Sequence, residues 1–134
     1  MAEVKTRPTR ASVKKFIDAI GDATTRQDCK ALVKMMKGVS GEDPKMWGPS
    51  IIGFGMCSCR YASGRELEWP RIAFSPRKNS ISLYGIGGAM DKGAAWKSLG
   101  NFKRGKGCVY IKRLSDVDQG RLAKILSAGF REHR

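Results

Sequence analysis

The 134-residue chain reads as an α+β domain, an antiparallel sheet of about five strands with helices at both ends. Three observations predict this class. Apolar residues recur at helical spacing before Gly41 and again after Ser115. Between Trp47 and Ile86 the pattern becomes extended, in strand-length runs separated by turn residues. Neither a repeat nor a low-complexity segment interrupts the order, so helices flank a sheet in one packed unit. A chain of 14.8 kDa is large enough to bury about two-thirds of its unfolded surface without staples.

Residues 1–8 form a disordered lead that closes at Pro8, residues 9–130 a single domain, and residues 131–134 a frayed C-terminus. Thr9 or Ser12 caps a first helix whose inner positions are Val13, Phe16, Ile17 and Ile20, stopped by Gly21. Thr24 or Thr25 caps a second, with Cys29, Leu32, Val33 and Met36 inward and Arg26, Lys30, Lys34 and Lys37 outward, ending between Gly38 and Gly41. Strands follow over Ile51–Phe54, Met56–Ala62, Trp69–Phe74 and Ser80–Ile86. Turn chemistry at Gly55, at Ser63-Gly64-Arg65-Glu66 and at Ser75-Pro76-Arg77-Lys78-Asn79 separates them into a meander. Ala89–Leu99 is a short helix anchored by Trp96 and Leu99, and Cys108–Lys112 is the fifth strand. Ser115 or Asp116 caps the last helix, which turns Val117, Leu122, Ile125, Leu126 and Phe130 inward.

Three of these turns form recognisable motifs. They are Met46-Trp47-Gly48-Pro49-Ser50-Ile51-Ile52-Gly53-Phe54-Gly55, Phe74-Ser75-Pro76-Arg77-Lys78, and Gly105-Lys106-Gly107-Cys108-Val109-Tyr110-Ile111, followed by Arg113-Leu114-Ser115-Asp116-Val117-Asp118. In this order they resemble the YdhG-like family of small bacterial domains, mostly of unknown function, from Val13 to about Leu126. The resemblance implies a compact α+β domain. Some relatives are described as frataxin-like iron chaperones, a role that calls for a carboxylate-rich face because labile iron prefers oxygen ligands. The chain has 12 acids against 26 bases, and its early helices are basic, so no iron ligand is carried over to a specific residue.

A net charge of +14 is large for one domain. It is spread along the chain: ten basic and six acidic residues in 1–49, seven and three in 50–100, nine and three in 101–134. Such an excess attracts anions, whether nucleic acid or acidic partners, although a dedicated nucleic-acid reader concentrates its charge on one face. The charge-free stretch from Trp47 to Cys59 is broken by glycine, proline and serine and falls short of the roughly 18 apolar residues that span a membrane. No apolar segment follows the basic N-terminus, so a cytoplasmic protein with reduced thiols is expected. Cys57 and Cys59 fall on one face of a strand about 7 Å apart, too few ligands for a metal site without help from elsewhere.

The candidate site is cationic. Arg77 and Lys78 stand just past a strand end, and Lys106 in a glycine-rich turn. If the sheet brings these turns together, they hold a carboxylate or phosphate, with arginine supplying the bidentate fork. The alternative is that they cap helix C-termini or pair with Glu66, Glu68 or Asp116. Trp47 and Tyr84 lie near the same turns and complete the ligand-binding set, Tyr84 with a polar tip. Tyr61 has the same character, whereas Trp47, Phe74 and Tyr110 also suit core positions. Gly105-Lys106-Gly107 is no P-loop, because it lacks the spaced leading glycine and the hydroxyl after the lysine and precedes a strand. With the sole histidine at His133 and no Gly-x-Ser-x-Gly elbow, the residues offer no catalytic set and no cofactor motif. The expectation is a non-enzymatic binding domain for a small anionic ligand or an acidic protein segment. Non-specific nucleic-acid binding through the basic surface is one alternative, and the intracellular iron-chaperone role that the resemblance implies is another.

Overall fold

A computed structural model of the chain describes residues 12–48, 50–60, 66–78, 80–85, 99–104 and 108–132. The lead 1–8, Tyr61, Lys106, Trp96 with residues 89–98 of the expected middle helix, and His133 lie outside the described residues, as do the side chains of Cys57, Cys59 and Cys108.

Helix α1, Val13–Asp18, starts at Ser12, whose Oγ accepts the Lys15 N–H at 3.1 Å. Helix α2, Ala23–Ser40, is capped by Asp22 and not by Thr24 or Thr25. Both threonines lie inside its first turn. Thr25 donates its N–H and its hydroxyl to Asp22 Oδ2 at 2.8 and 2.6 Å, so the carboxylate serves two donors and faces the positive end of the helix. The helix runs through Gly38 and stops at Gly41, whose φ of 71° lets its N–H turn back to the Lys37 carbonyl at 2.8 Å, a conformation glycine adopts at little cost.

Among the described residues eight strands follow: β1 Lys45–Trp47, β2 Ile51–Phe54, β3 Cys57–Arg60, β4 Glu66–Trp69, β5 Ile72–Pro76, β6 Ile81–Tyr84, β7 Lys103–Arg104 and β8 Cys108–Ile111. Six of them form one antiparallel sheet in the order β1-β2-β5-β6-β8-β7, and β3 and β4 pair with each other in a second, two-stranded sheet. The arrangement is α+β, as expected, but the plain meander is not. The run expected as one strand from Trp69 to Phe74 divides at Pro70, which has no N–H to continue a ladder. As a result, β2 pairs with β5 and the β3–β4 ribbon leaves the main sheet. The edge strands β1 and β7, three and two residues long, are too short to show a period in the sequence.

Alternation sorts the sheet into two faces. One carries the row Met46, Ile52, Phe74, Leu83 and Val109, paired strand by strand, with Phe54, Ile72, Ile81 and Ile111 alongside. All of these join one buried cluster with Ile17 of α1, Cys29, Leu32 and Met36 of α2, and the last helix. That helix, α3, spans Gln119–Glu132. Asp118 caps it by accepting the Arg121 N–H at 2.9 Å, in place of Ser115 or Asp116, which belong to a 3-10 turn over Leu114–Asp116. Leu122, Ile125, Leu126 and Phe130 are buried as expected, and the helix continues through Arg131, whose Nη1 donates to Ser127 Oγ at 2.9 Å.

The opposite face carries Trp47, Gly53, Ala73, Ser75, Ser82, Tyr84 and Tyr110. Trp47 lies over Gly53 with Pro70 beside it: a Cβ on Gly53 would fall 2.6 Å from both the Trp47 ring and Pro70. Arg71 holds the end of α3 to the start of β5. Its Nε and Nη2 donate to the Phe130 carbonyl at 3.1 and 2.6 Å, and its guanidinium stacks 3.5 Å above the Phe130 ring.

Candidate anion-binding site

Register explains how distant cations meet. Pro76 pairs with Ile81, and Ile81 with Ile111, so β5, β6 and β8 reach one end of the sheet in a single row. Whatever follows Pro76 and Ile111 therefore projects from the same end. Arg77 and Lys78 follow the first, closed into a turn by the Arg77 N–H donating to the Ser80 carbonyl at 2.7 Å; Lys112 and Arg113 follow the second. All four side chains are exposed.

The start of α2 completes the site. Asp28 Oδ2 accepts the Leu114 N–H at 3.0 Å, fastening the first turns of α2 to the chain just after Arg113. Between them lies a groove of about 640 Å³ lined by Arg77, Lys78, Lys112, Arg113, Asp22 and Asp28, with Thr24, Thr25, Ser80 and Ile81. Four cations against two carboxylates leave an excess of two positive charges. Both carboxylates already serve donors of the protein, Asp22 at Thr25 and Asp28 at Leu114. The Thr25 hydrogen bonds hold the Asp22 carboxyl below the usual carboxylate range, so it stays ionised as a cap. The groove also opens at the N-terminal end of an 18-residue helix, whose dipole adds to the positive potential.

Arg77 makes a second contact. Its Nη2 donates to the Tyr84 hydroxyl at 3.1 Å, and that hydrogen bond raises its already high pKa further. Arg77 is thus hydrogen-bonded to Tyr84 and shares the groove wall with Lys78. Trp47 does not join them. It is 1% exposed, on edge strand β1 with β2 between it and β5, and covers Gly53. Its role is packing. Tyr110, in contrast, is 36% exposed and no core residue. Lys112 and Arg113 were not expected at the site, because 34 and 35 positions separate them from Lys78 in sequence, and the register that ends β8 beside the turn at Arg77 leaves no local signal.

The expected basic ridge of α2 is engaged locally. Lys30 lies 3.7 Å from Asp18 and Lys37 3.3 Å from Asp43, and Arg26 donates to the Ile20 carbonyl at 2.7 Å. Cys29 is fully buried, and loss of hydration pushes its thiol up to about 12, which leaves it protonated and unreactive at neutral pH. Among the described residues no three His, Cys, Asp or Glu side chains gather to hold a metal ion. No described helix is long and apolar enough to cross a membrane. No family model matches this chain, and no curated protein or solved structure matches it.

Proposed function

We propose that the protein is a non-enzymatic binding domain that takes a small anionic ligand, or the acidic segment of a partner, in the groove between the β5–β6 turn, the end of β8 and the start of α2. The observation that supports this reading is the convergence of Arg77, Lys78, Lys112 and Arg113 from two strand ends onto one groove. Two guanidinium groups provide forks for phosphate or carboxylate oxygens, and two ammonium groups provide point charges. Of the residues first expected at the site, Arg77 and Lys78 remain ligand-binding candidates, with Tyr84 acting through Arg77.

Calorimetric titration with inorganic pyrophosphate at low ionic strength tests the reading. The wild-type chain binds, and the double variant Lys112→Ala/Arg113→Ala loses about tenfold or more in affinity, since a hydrogen bond to a charged group contributes about 1.5–3 kcal/mol. Its thermal unfolding stays close to wild type because both side chains are exposed. Lys30→Ala/Lys34→Ala on the α2 ridge leaves affinity within about twofold, in keeping with the small worth of exposed charges. Absence of binding at millimolar pyrophosphate, or equal losses in the two double variants, would overturn the proposal.

A further inference from the structure

A second cavity of about 510 Å³ lies beside the cationic groove, and the two share Ser80 and Lys112 in their walls. The wall changes character there. Its charged members are Lys103, Lys112 and Asp116, and its rings are Phe102 and Tyr110. Tyr110 stands on β8 opposite Lys103 of β7 and Ser82 of β6, on the sheet face turned away from the helices. Tyr84, which receives the Arg77 hydrogen bond, lies on the same face one diagonal step away, within reach of a large side chain. The Tyr110 ring is 36% exposed and borders a cavity that shares Lys112 with the cationic groove.

Building on the anion-binding reading, we infer that the ligand is a nucleotide, with its phosphate among Arg77, Lys78, Lys112 and Arg113 and its base against Tyr110. The chemistry calls for both halves. Phosphate alone would engage the groove without the neighbouring cavity, and an aspartate or glutamate side chain carries no aromatic ring to stack there. A base stacked on an aromatic side chain contributes about 1–3 kcal/mol, and the Tyr110 ring lines the cavity in which the base would lie. Lys103 and Lys112 flank that ring and offset the charge of Asp116. A free nucleotide and one nucleotide of a single strand present the same pair of groups.

The test compares 5′-AMP with ribose 5-phosphate, which keeps the phosphate and sugar and lacks the base, by calorimetry on the full chain at low ionic strength. AMP is expected to bind about five- to a hundredfold tighter, the range that one stacked base supplies. Tyr110→Ala should bring AMP down to the affinity of ribose 5-phosphate and leave the latter unchanged, which also shows that the variant is folded; Tyr110→Phe should keep the preference. Equal affinity of the two ligands for the wild type, or equal loss of both in Tyr110→Ala, overturns this inference while pyrophosphate binding keeps the anion reading in place. If none of the three binds, both readings fall. A pentameric oligoadenylate separates the sources. Affinity above that of AMP, lost in Tyr110→Ala, assigns the nucleotide to a strand; affinity no greater assigns it to a free nucleotide, and either result keeps the base-and-phosphate chemistry.

Discussion

At Gly53 one missing methyl group decides the packing of a whole sheet edge. The Trp47 ring and Pro70 both occupy the space above this residue, each 2.6 Å from where a Cβ would stand, and neither is a flexible chain end that could swing aside. Gly53→Ala must therefore push the indole outward or separate β1 from β2, and overpacking of this kind costs about 1–3 kcal/mol. Chemical denaturation followed by tryptophan fluorescence checks the prediction: the midpoint falls and the slope is unchanged, as expected when stability alone has changed. An unaltered midpoint would mean that Trp47 is loosely held. The same contact explains why Trp47, next to a turn that looked functional, serves the core. Its sequence neighbours Gly48 and Pro49 mark a turn, but nothing local reveals that the residue two positions into the next strand lacks a side chain for the sake of this ring.

The helices were legible at the level of their inner stripes, because the 3.6-residue period is a local property. Cys29, Leu32 and Met36 of α2, and Leu122, Ile125, Leu126 and Phe130 of α3, are all buried. The caps were less so. Around α2, Asp22, Thr24 and Thr25 all have side chains suited to the position, and the choice goes to Asp22 because its charge accepts two donors from Thr25 at once. This cap predicts a pH dependence. A carboxyl held below its ordinary pKa in the folded state contributes stability that is present above pH 3.8 and is lost as pH falls through the lower folded value. Urea midpoints for wild type and Asp22→Asn, measured between about pH 2 and 6, should accordingly converge at the acid end and separate toward neutrality, with the variant less stable at pH 6. Parallel curves would show that the carboxylate charge is immaterial to the cap. Strand partnership was the least legible feature of the elements. β3 pairs with β4 as antiparallel neighbours, with Glu66, expected in the turn, already opening β4, but whether that pair joins the main sheet depends on contacts far apart in sequence, and so does the approach of Lys112 and Arg113 to Arg77.

Over the whole molecule, a charge of +14 attracts any polyanion, and the useful distinction is between cations that converge and cations that are merely solvated. Counting along the sequence shows an almost even spread and conceals the difference. Folding separates the two sets: the α2 ridge keeps Lys30 and Lys37 beside Asp18 and Asp43, whereas two strand ends and the 3-10 turn deliver Lys78, Lys112 and Arg113 to one groove. A single-stranded oligonucleotide reads this distribution directly. Each phosphate neutralised releases counterions and contributes about 0.7 to the slope of log affinity against log salt concentration. If binding is centred on the groove, Lys78→Ala/Lys112→Ala/Arg113→Ala should lower the slope by about 2, three contacts at that weight. Lys30→Ala/Lys34→Ala/Lys37→Ala removes the same formal charge and should change it by less than about 0.7, one contact. Fluorescence anisotropy of a labelled ten-nucleotide thymidine strand at four salt concentrations measures both. Equal changes in the two triple variants would mean that the strand responds to total charge, and the end of the sheet formed by β5, β6 and β8 would then have no special claim on the anion.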